Sequence, residues 1–518
     1  MTESTEPTGH PRRWAILGVL VVSLLVVVLD NTVLNVALKT ISDPREGLGA
    51  TQGQLEWSIN SYTLVFAGLL FTFGVIGDRV GRRRIMVLGM VIFGIASLIS
   101  AYAQTPDQLI WARALMGLGG AAIMPQTLSI ITNVFDAGER GRAIGIWAGA
   151  VGLGVAIGPI TGGLLLDHFW WGSVFLINVP IVVGGVIAML VLVPESRNPV
   201  PGRLDPIGVL LSIAGLVVLS YGIIEGGQKG SWLEFSVVGP VLLGVLLLAA
   251  FVWHEARTDH PAFDVRLFRD PRMAVAVAAI ALTFFAASGV FFFSTFYMQS
   301  VRGLSPLQAG AMMLPFAAAQ LIFSPRSAKM VKRYGARIVC AFGLLALTVA
   351  LVGYQFLGAD TPLWYLGVIF FIQGTGMANV MPPATESVMS ALPREKAGAG
   401  SAINNTARQV AVALGVAILG SVVSTVYREE MRERLTVLPA DLRHTAAESI
   451  AQTAGIAERT GHTELLRPAY AAFVDGMHVA AVASAVIALI GSLVVLRWMP
   501  GRPVQPPVRT PEPEVAEV

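Results

Sequence analysis

Asp30 is the first residue that could do chemistry. It stands in Leu29-Asp30-Asn31-Thr32-Val33-Leu34-Asn35-Val36-Ala37-Leu38, the far end of an apolar run that begins at Trp14. An acid inside a membrane span costs at least about 2.5–3.5 kcal/mol on insertion scales, so it is kept where it has a partner or faces a cavity. Such an acid can take up and release a proton. Asn31 and Asn35 are four residues apart and share a helix face, which makes a polar stripe suited to a substrate cavity. Arg113 is the second such residue, in the run from Leu109 to Gly119. At about 1.5 Å per residue it lies about 9 Å inside a helix beginning near Asp107, and Asp30 lies about 12 Å inside the outer end of its own. At that similar depth the two can pair. A nearby guanidinium favours ionised Asp30 and its withdrawal favours the protonated form, a physical route to proton coupling. The plain alternative is a static buried ion pair.

Two further constellations are built from glycine. Gly154, Gly158 and Gly162 are four apart, beside Pro159 and Gly163. They form a face without side chains on which another helix can approach backbone to backbone. Pro159 removes one helical hydrogen bond and allows a bend. Such a groove is expected to face the other half of the molecule as a hinge or seal. The segment Gly74-Val75-Ile76-Gly77-Asp78-Arg79-Val80-Gly81-Arg82-Arg83-Arg84 joins two apolar runs by what reads as a short charged loop. Asn404, Asn405 and Arg408 open a late apolar run and are further candidates for a substrate cavity.

The elements that must hold these residues follow from composition. The 518 residues are 54% hydrophobic and only 13% charged, with a mean hydropathy of +0.67. Soluble domains carry about 25% charged residues, so lipid must be the solvent. The net charge of +3 is small, and the arginine-rich loops are no argument for nucleic acid. The single cysteine, Cys340, excludes an intrachain disulfide and a cysteine metal cluster. No metal site, nucleotide-binding lysine loop, zinc-protease motif or serine elbow is present in the pattern of residues.

A span needs roughly 20 apolar residues. Fourteen candidates centre near Val26, Leu69, Phe93, Ala121, Leu153, Val183, Ala214, Leu243, Ala286, Phe316, Leu345, Phe371, Gly415 and Ile487. Arginine and lysine concentrate in alternate connections, which predicts both termini on the cytoplasmic side. The near-neutral 428–475 loop is the exception. Residues 328–337 resemble a decayed copy of the Gly74–Arg84 segment, with Arg333 and Gly335 in place. The expected organisation is a cytoplasmic N-terminus (1–13), a six-helix half (14–193) and a cytoplasmic linker (194–204). An inserted helix pair (205–254), a cytoplasmic loop (255–272), a second six-helix half (273–498) with extracellular loop 428–475, and a disordered cytoplasmic tail (499–518) follow.

The segments around Asp30, Gly74–Arg84, Arg113 and Gly154–Gly163 together resemble those of the major facilitator superfamily, specifically its fourteen-helix drug:proton antiporter-2 family. Gly74, Asp78, Arg79, Gly81, Arg82 and Arg83 fill the helix 2–3 motif, and Gly154, Gly158, Pro159, Gly162 and Gly163 fill the antiporter motif. Lys39 stands where the helix 1 motif ends in proline. Asn404, Asn405, Arg408 and Gln409 resemble a further stretch of the family, and Trp170 to Pro180 resembles its helix 5–6 connection.

The resemblance implies an all-α major facilitator fold with two six-helix halves plus two inserted helices. It implies a monomeric, multi-pass protein of a bacterial inner membrane. Asp30 and Arg113 would couple protons, the Asp78 segment would act as a conformational latch, and amphipathic, cationic drugs or dyes would be exported. The partners would be substrate, protons and membrane lipid. The proton gradient would supply energy without a cofactor, and the protein would not be an enzyme. The alternatives are a dedicated exporter of one metabolite, antibiotic or lipid, and a non-transporting sensor.

Overall fold

The computed structural model describes residues 10–197, 205–229, 231–258, 261, 265–391 and 397–500, apart from some side chains concentrated within 137–156. Most of the expected N-terminal segment and tail, and residues 198–204 of the expected linker, lie outside them. The first part of the chain forms α1 (Arg13–Ser42), α2 (Gln52–Val80), α3 (Arg82–Ala101), α4 (Pro106–Val134), α5 (Ala137–His168), α6 (Ser173–Leu176) and α7 (Asn178–Leu192). A pair follows, α8 (Pro206–Lys229) and α9 (Phe235–Glu255). The last part forms α10 (Pro271–Phe296), α11 (Pro306–Ala311), α12 (Leu314–Tyr334), α13 (Ala336–Gly353), α14 (Leu363–Ser390), α15 (Ala397–Met431), α16 (Ala440–Glu448), α17 (Ile450–Thr460) and α18 (Leu466–Trp498).

Among the described residues, 12 helices are long and apolar enough to cross a membrane, and α2, bent by 52°, brings the number to 13. The sequence leads to an expectation of fourteen. The remaining candidate falls on α5, a helix of 32 residues whose side chains are only partly described.

The expected loop at Gly74–Arg84 is different in the structure. The residues belong to α2 and α3, and Gly81 alone joins the two helices. Gly81 has φ +131°, a conformation side-chain-bearing residues rarely adopt, so the chain reverses within one residue. Gly335 does the same between α12 and α13, with φ +83°. Eight residues beyond each turn, the pattern repeats again. A Cβ on Gly89 of α3 would lie 2.9 Å from the Gly119 carbonyl of α4, and one on Gly343 of α13 would lie 2.6 Å from the Gly376 carbonyl of α14. Two copies of one close-packed helical unit are what transporter folds with internal repeats contain.

The first copy packs α1 on α5 and α2 on α4. The second packs α10 on α15 and α12 on α14. The copies meet where α2 runs along α15 and where α5 meets α11 and α12, while α8 rests on α2 and α15. Aromatic rings fill much of the second copy's core. Phe292, Phe293 and Phe296 are fully buried and make edge contacts with one another and with Phe473 of α18. The 428–475 region is largely helical, being made of the end of α15, α16, α17 and the start of α18.

Candidate functional site

Asp30 and Arg113 meet. Nη1 of Arg113 donates to Oδ2 of Asp30, and the side chains are each 1% exposed. The pair forms although α1 extends to Ser42, twelve residues or about 18 Å beyond Asp30. Removing a charge from water costs several kcal/mol, so a buried pair needs further hydrogen bonds. Both partners have them. Asn178, at the start of α7, donates from Nδ2 to the other oxygen of Asp30 at 3.2 Å. The same Nδ2 lies 3.3 Å from Ser97 Oγ of α3, to which it also donates. Nε of Arg113 donates to the Ser58 carbonyl of α2 at 3.2 Å.

Tyr62 of α2 completes the site. Its ring lies 4.5 Å from the Arg113 guanidinium carbon, and Phe175 lies 5.9 Å away on another side. Contacts of this type contribute about 0.5–2 kcal/mol. Tyr62 is fully buried and stands within electrostatic reach of Asp30, Arg113 and Arg408. Its helix, α2, runs along α15 of the second copy. Asn178, Ser97, Ser58 and Tyr62 escaped the sequence reading. The one available signal was the polar Asn178 next to Pro180 in an otherwise apolar stretch.

The other candidate cavity residues are half-buried. Asn31 donates to the Val27 carbonyl at 2.8 Å and Asn35 to the Asn31 carbonyl at 3.1 Å, so both amides turn back along α1. Asn404 donates to Thr385 of α14 at 3.0 Å. Arg408 donates to Asn405 at 2.9 Å and lies 5.6 Å from the Phe284 ring centre. These residues fall into two groups, one on α1 and one on α15, with Tyr62 between.

The glycine face of α5 is turned differently from expectation. It packs on α1 of its own copy. A Cβ on Gly154 would lie 2.8 Å from Val28 Cγ1, one on Gly158 would overlap the Thr32 hydroxyl and lie 2.7 Å from the Thr32 Cβ, and one on Gly162 3.0 Å from Val33 Cγ1. Only the next stretch reaches the other copy, where a Cβ on Gly163 would lie 2.7 Å from the Leu307 nitrogen and the Gly310 backbone lies against the Pro159 carbonyl. The physical reason is helix rotation. Gly163 sits about 100° round from Gly162, so one motif serves two faces.

The Asp78 segment ties helix ends together. Nε of Arg82 donates to Asp78 at 2.9 Å, and its Nη1 donates to the Ser129 carbonyl of α4 at 3.2 Å. The Arg83 backbone nitrogen donates to Glu195 at 3.1 Å, and its side chain donates to the Val193 carbonyl just past α7 at 3.1 Å. Gly74 lies beside Pro125 of α4 with space for a Cβ, and Arg79 lies in the last turn of α2. Among the described residues, no group of three or more His, Cys, Asp or Glu side chains is arranged to hold a metal. Trp171 is buried while Trp170 is exposed, and Glu386 is exposed.

Residues 20–416 match the family model described as Major Facilitator Superfamily. The chain is 34% identical over 498 residues to "Multidrug efflux pump LfrA" of Mycolicibacterium smegmatis, covering 95% of this chain and 97% of that protein. It is 35% identical over 434 residues to "Methyl viologen resistance protein SmvA" of Salmonella typhimurium, covering 83% and 86%. Among solved structures, an inward-facing bacterial homolog of the human lysosomal transporter Spinster superposes with a TM-score of 0.66 at 17% identity, covering 94% of this chain and 96% of that one.

Proposed function

The chain belongs to the major facilitator superfamily and is a membrane transporter rather than an enzyme, and we propose that it exports amphipathic, cationic drugs or dyes in exchange for protons. Drug export follows from relatives that are efflux and resistance proteins of the same family. The observation that carries proton exchange is the Asp30–Arg113 pair, buried between α1 and α4 and braced by Asn178.

In this reading the guanidinium holds Asp30 ionised, and a shift between α1 and α4 lets it take a proton. Tyr62 and Arg408 carry that event towards α15. The α5 glycine face makes α1 and α5 move as one body, and Gly163 passes the motion to α11. Arg82, Arg83 and Glu195 clamp the ends of α2, α3, α4 and α7 on the opposite side of the bundle. Access then alternates around a cavity between the copies, lined by Asn31, Asn35, Asn404, Asn405 and Arg408.

The wider reading has fourteen spans with both termini cytoplasmic, in a bacterial inner membrane. Halves at 14–193 and 273–498 flank the inserted pair at 205–254. The protein works as a monomer in lipid and draws on the proton gradient without a cofactor.

The test uses energised everted membrane vesicles. Adding ethidium is expected to dissipate the pH gradient with the wild-type protein but not with Asp30→Asn at equal expression. Full dissipation by that variant removes Asp30 from the mechanism. No response to a broad dye panel points instead to a dedicated exporter of one compound.

A further inference from the structure

Glu56 is a second buried acid, and the ion pair does not use it. It lies in the first turns of α2 and is 1% exposed. Among the described residues, its hydrogen bond comes from Gln52 Nε2 at 3.5 Å, the outer limit for such a bond. The carboxyl lies flat against bare backbone of the second copy, since a Cβ on Gly420 of α15 would be 2.8 Å from Oε2. The next residue, Ser421, donates to the Ile223 carbonyl of α8 at 2.8 Å and abuts Gly227. The carboxyl thus lies against α15 one residue from where α15 packs on α8, at the place where the copies meet.

Among the described residues, no cation forms an ion pair with it. On α4, Arg113 is engaged with Asp30 and Ser58, and Asp107 faces Gln54. On α15, Arg428 stands about two turns beyond Gly420, or about 12 Å, and Arg408 lies about 18 Å away in the other direction. On α8, Glu225 is paired with Lys229 at 3.0 Å. On α1, the charges are Arg13, paired with Glu139 at the first residue of the helix, Asp30, held by Arg113, and Lys39 in the last turn. The arginines of α3, Arg82 to Arg84, stand at the opposite end of the bundle.

An ionised carboxylate buried without a cation is costly, and in practice the group neutralises. The same carboxyl ionises readily once water reaches it. We propose that Glu56 is a proton-operated latch of the α2–α15 interface, carrying a proton when the two helices close and giving it up to the adjoining aqueous side when they part. The latch rests on the alternating-access reading above and adds to it a proton site separate from Asp30. Acidification of the side onto which this interface opens would then favour closure.

The test is the distance between spin labels at Gln104→Cys and Asp360→Cys, one on each copy at the Glu56 end, in a Cys340→Ala background in liposomes. The pH is stepped from about 5 to about 9, a range that brackets buried carboxyls. The expected result is a long-distance population that grows with pH in the wild type, stays small at every pH in Glu56→Gln, and still grows in Asp30→Asn. Glu56→Ala serves the same purpose if the glutamine variant is not monodisperse. A Glu56 variant that follows the wild type overturns the latch, as does a pH response lost in Asp30→Asn alone. A distance that answers ethidium at fixed pH but never answers pH also overturns it, while leaving the transport reading intact. A distance that answers neither overturns both.

Discussion

Thr32 occupies the space that a side chain on Gly158 would need, two residues along α1 from the buried Asp30. The glycine face of α5 thus touches the helix that bears the proposed coupling acid.

Gly158→Leu is expected to abolish dye efflux, because the backbone contact of α1 and α5 cannot accommodate the side chain without displacing Thr32. Gly158→Ala should reduce efflux less, and Thr32→Gly in that variant should restore part of it. Efflux rates at matched expression decide this. Wild-type efflux by Gly158→Leu would mean that the contact has no role in turnover.

Arg113→Ala leaves Asp30 buried without its cation, a change that costs about 3–5 kcal/mol in comparable pairs. The expected outcome is a lower melting temperature in detergent together with lost transport. Asn178→Ala removes two hydrogen bonds, to Asp30 and Ser97, each worth about 1 kcal/mol net, so it should lose less stability than Arg113→Ala and transport less. A melting temperature unchanged in Arg113→Ala would contradict the buried geometry.

Glu195→Gln weakens the clamp on Arg83 and Arg84, whose charged contacts lie at 3.8 Å and 3.6 Å. Partly exposed pairs contribute about 0.2–1 kcal/mol, so stability should hardly change. Turnover should fall while dye affinity stays constant, since the clamp links α2, α3 and α7 ends rather than the cavity. Equal loss of affinity and turnover would assign Glu195 to binding instead.

Glu448 of α16 has its carboxyl held above the usual range, first by burial and against the opposing pull of His444 and Arg428. A raised folded value means that this group's stabilising contribution is present at low pH and is lost as pH rises through its titration. Hydrogen exchange in α16 is therefore expected to quicken as pH rises, after correction for intrinsic exchange. Glu448→Gln should flatten that dependence. An unchanged profile in the variant would place the titrating group elsewhere.

Helix positions and the chemistry-bearing residues on them were legible in the chain because both are local properties. A span is a run of apolar side chains set by bilayer thickness, and each predicted centre, from Val26 to Ile487, falls inside a helix. Asp30 and Arg113 stood out because charge is rare in such runs. Which residues surround them was not legible. Asn178 lies 148 positions from Asp30 in the chain, and only the packing of α7 against α1 and α3 brings it there. The facing of the glycines depends on the rotation of α5 about its own axis, which spacing leaves open. Glu56 stands at the head of a span, where an acid reads as interfacial. The carboxyl lies against Gly420 of α15, whose approach is a property of the assembled bundle and not of any segment in it.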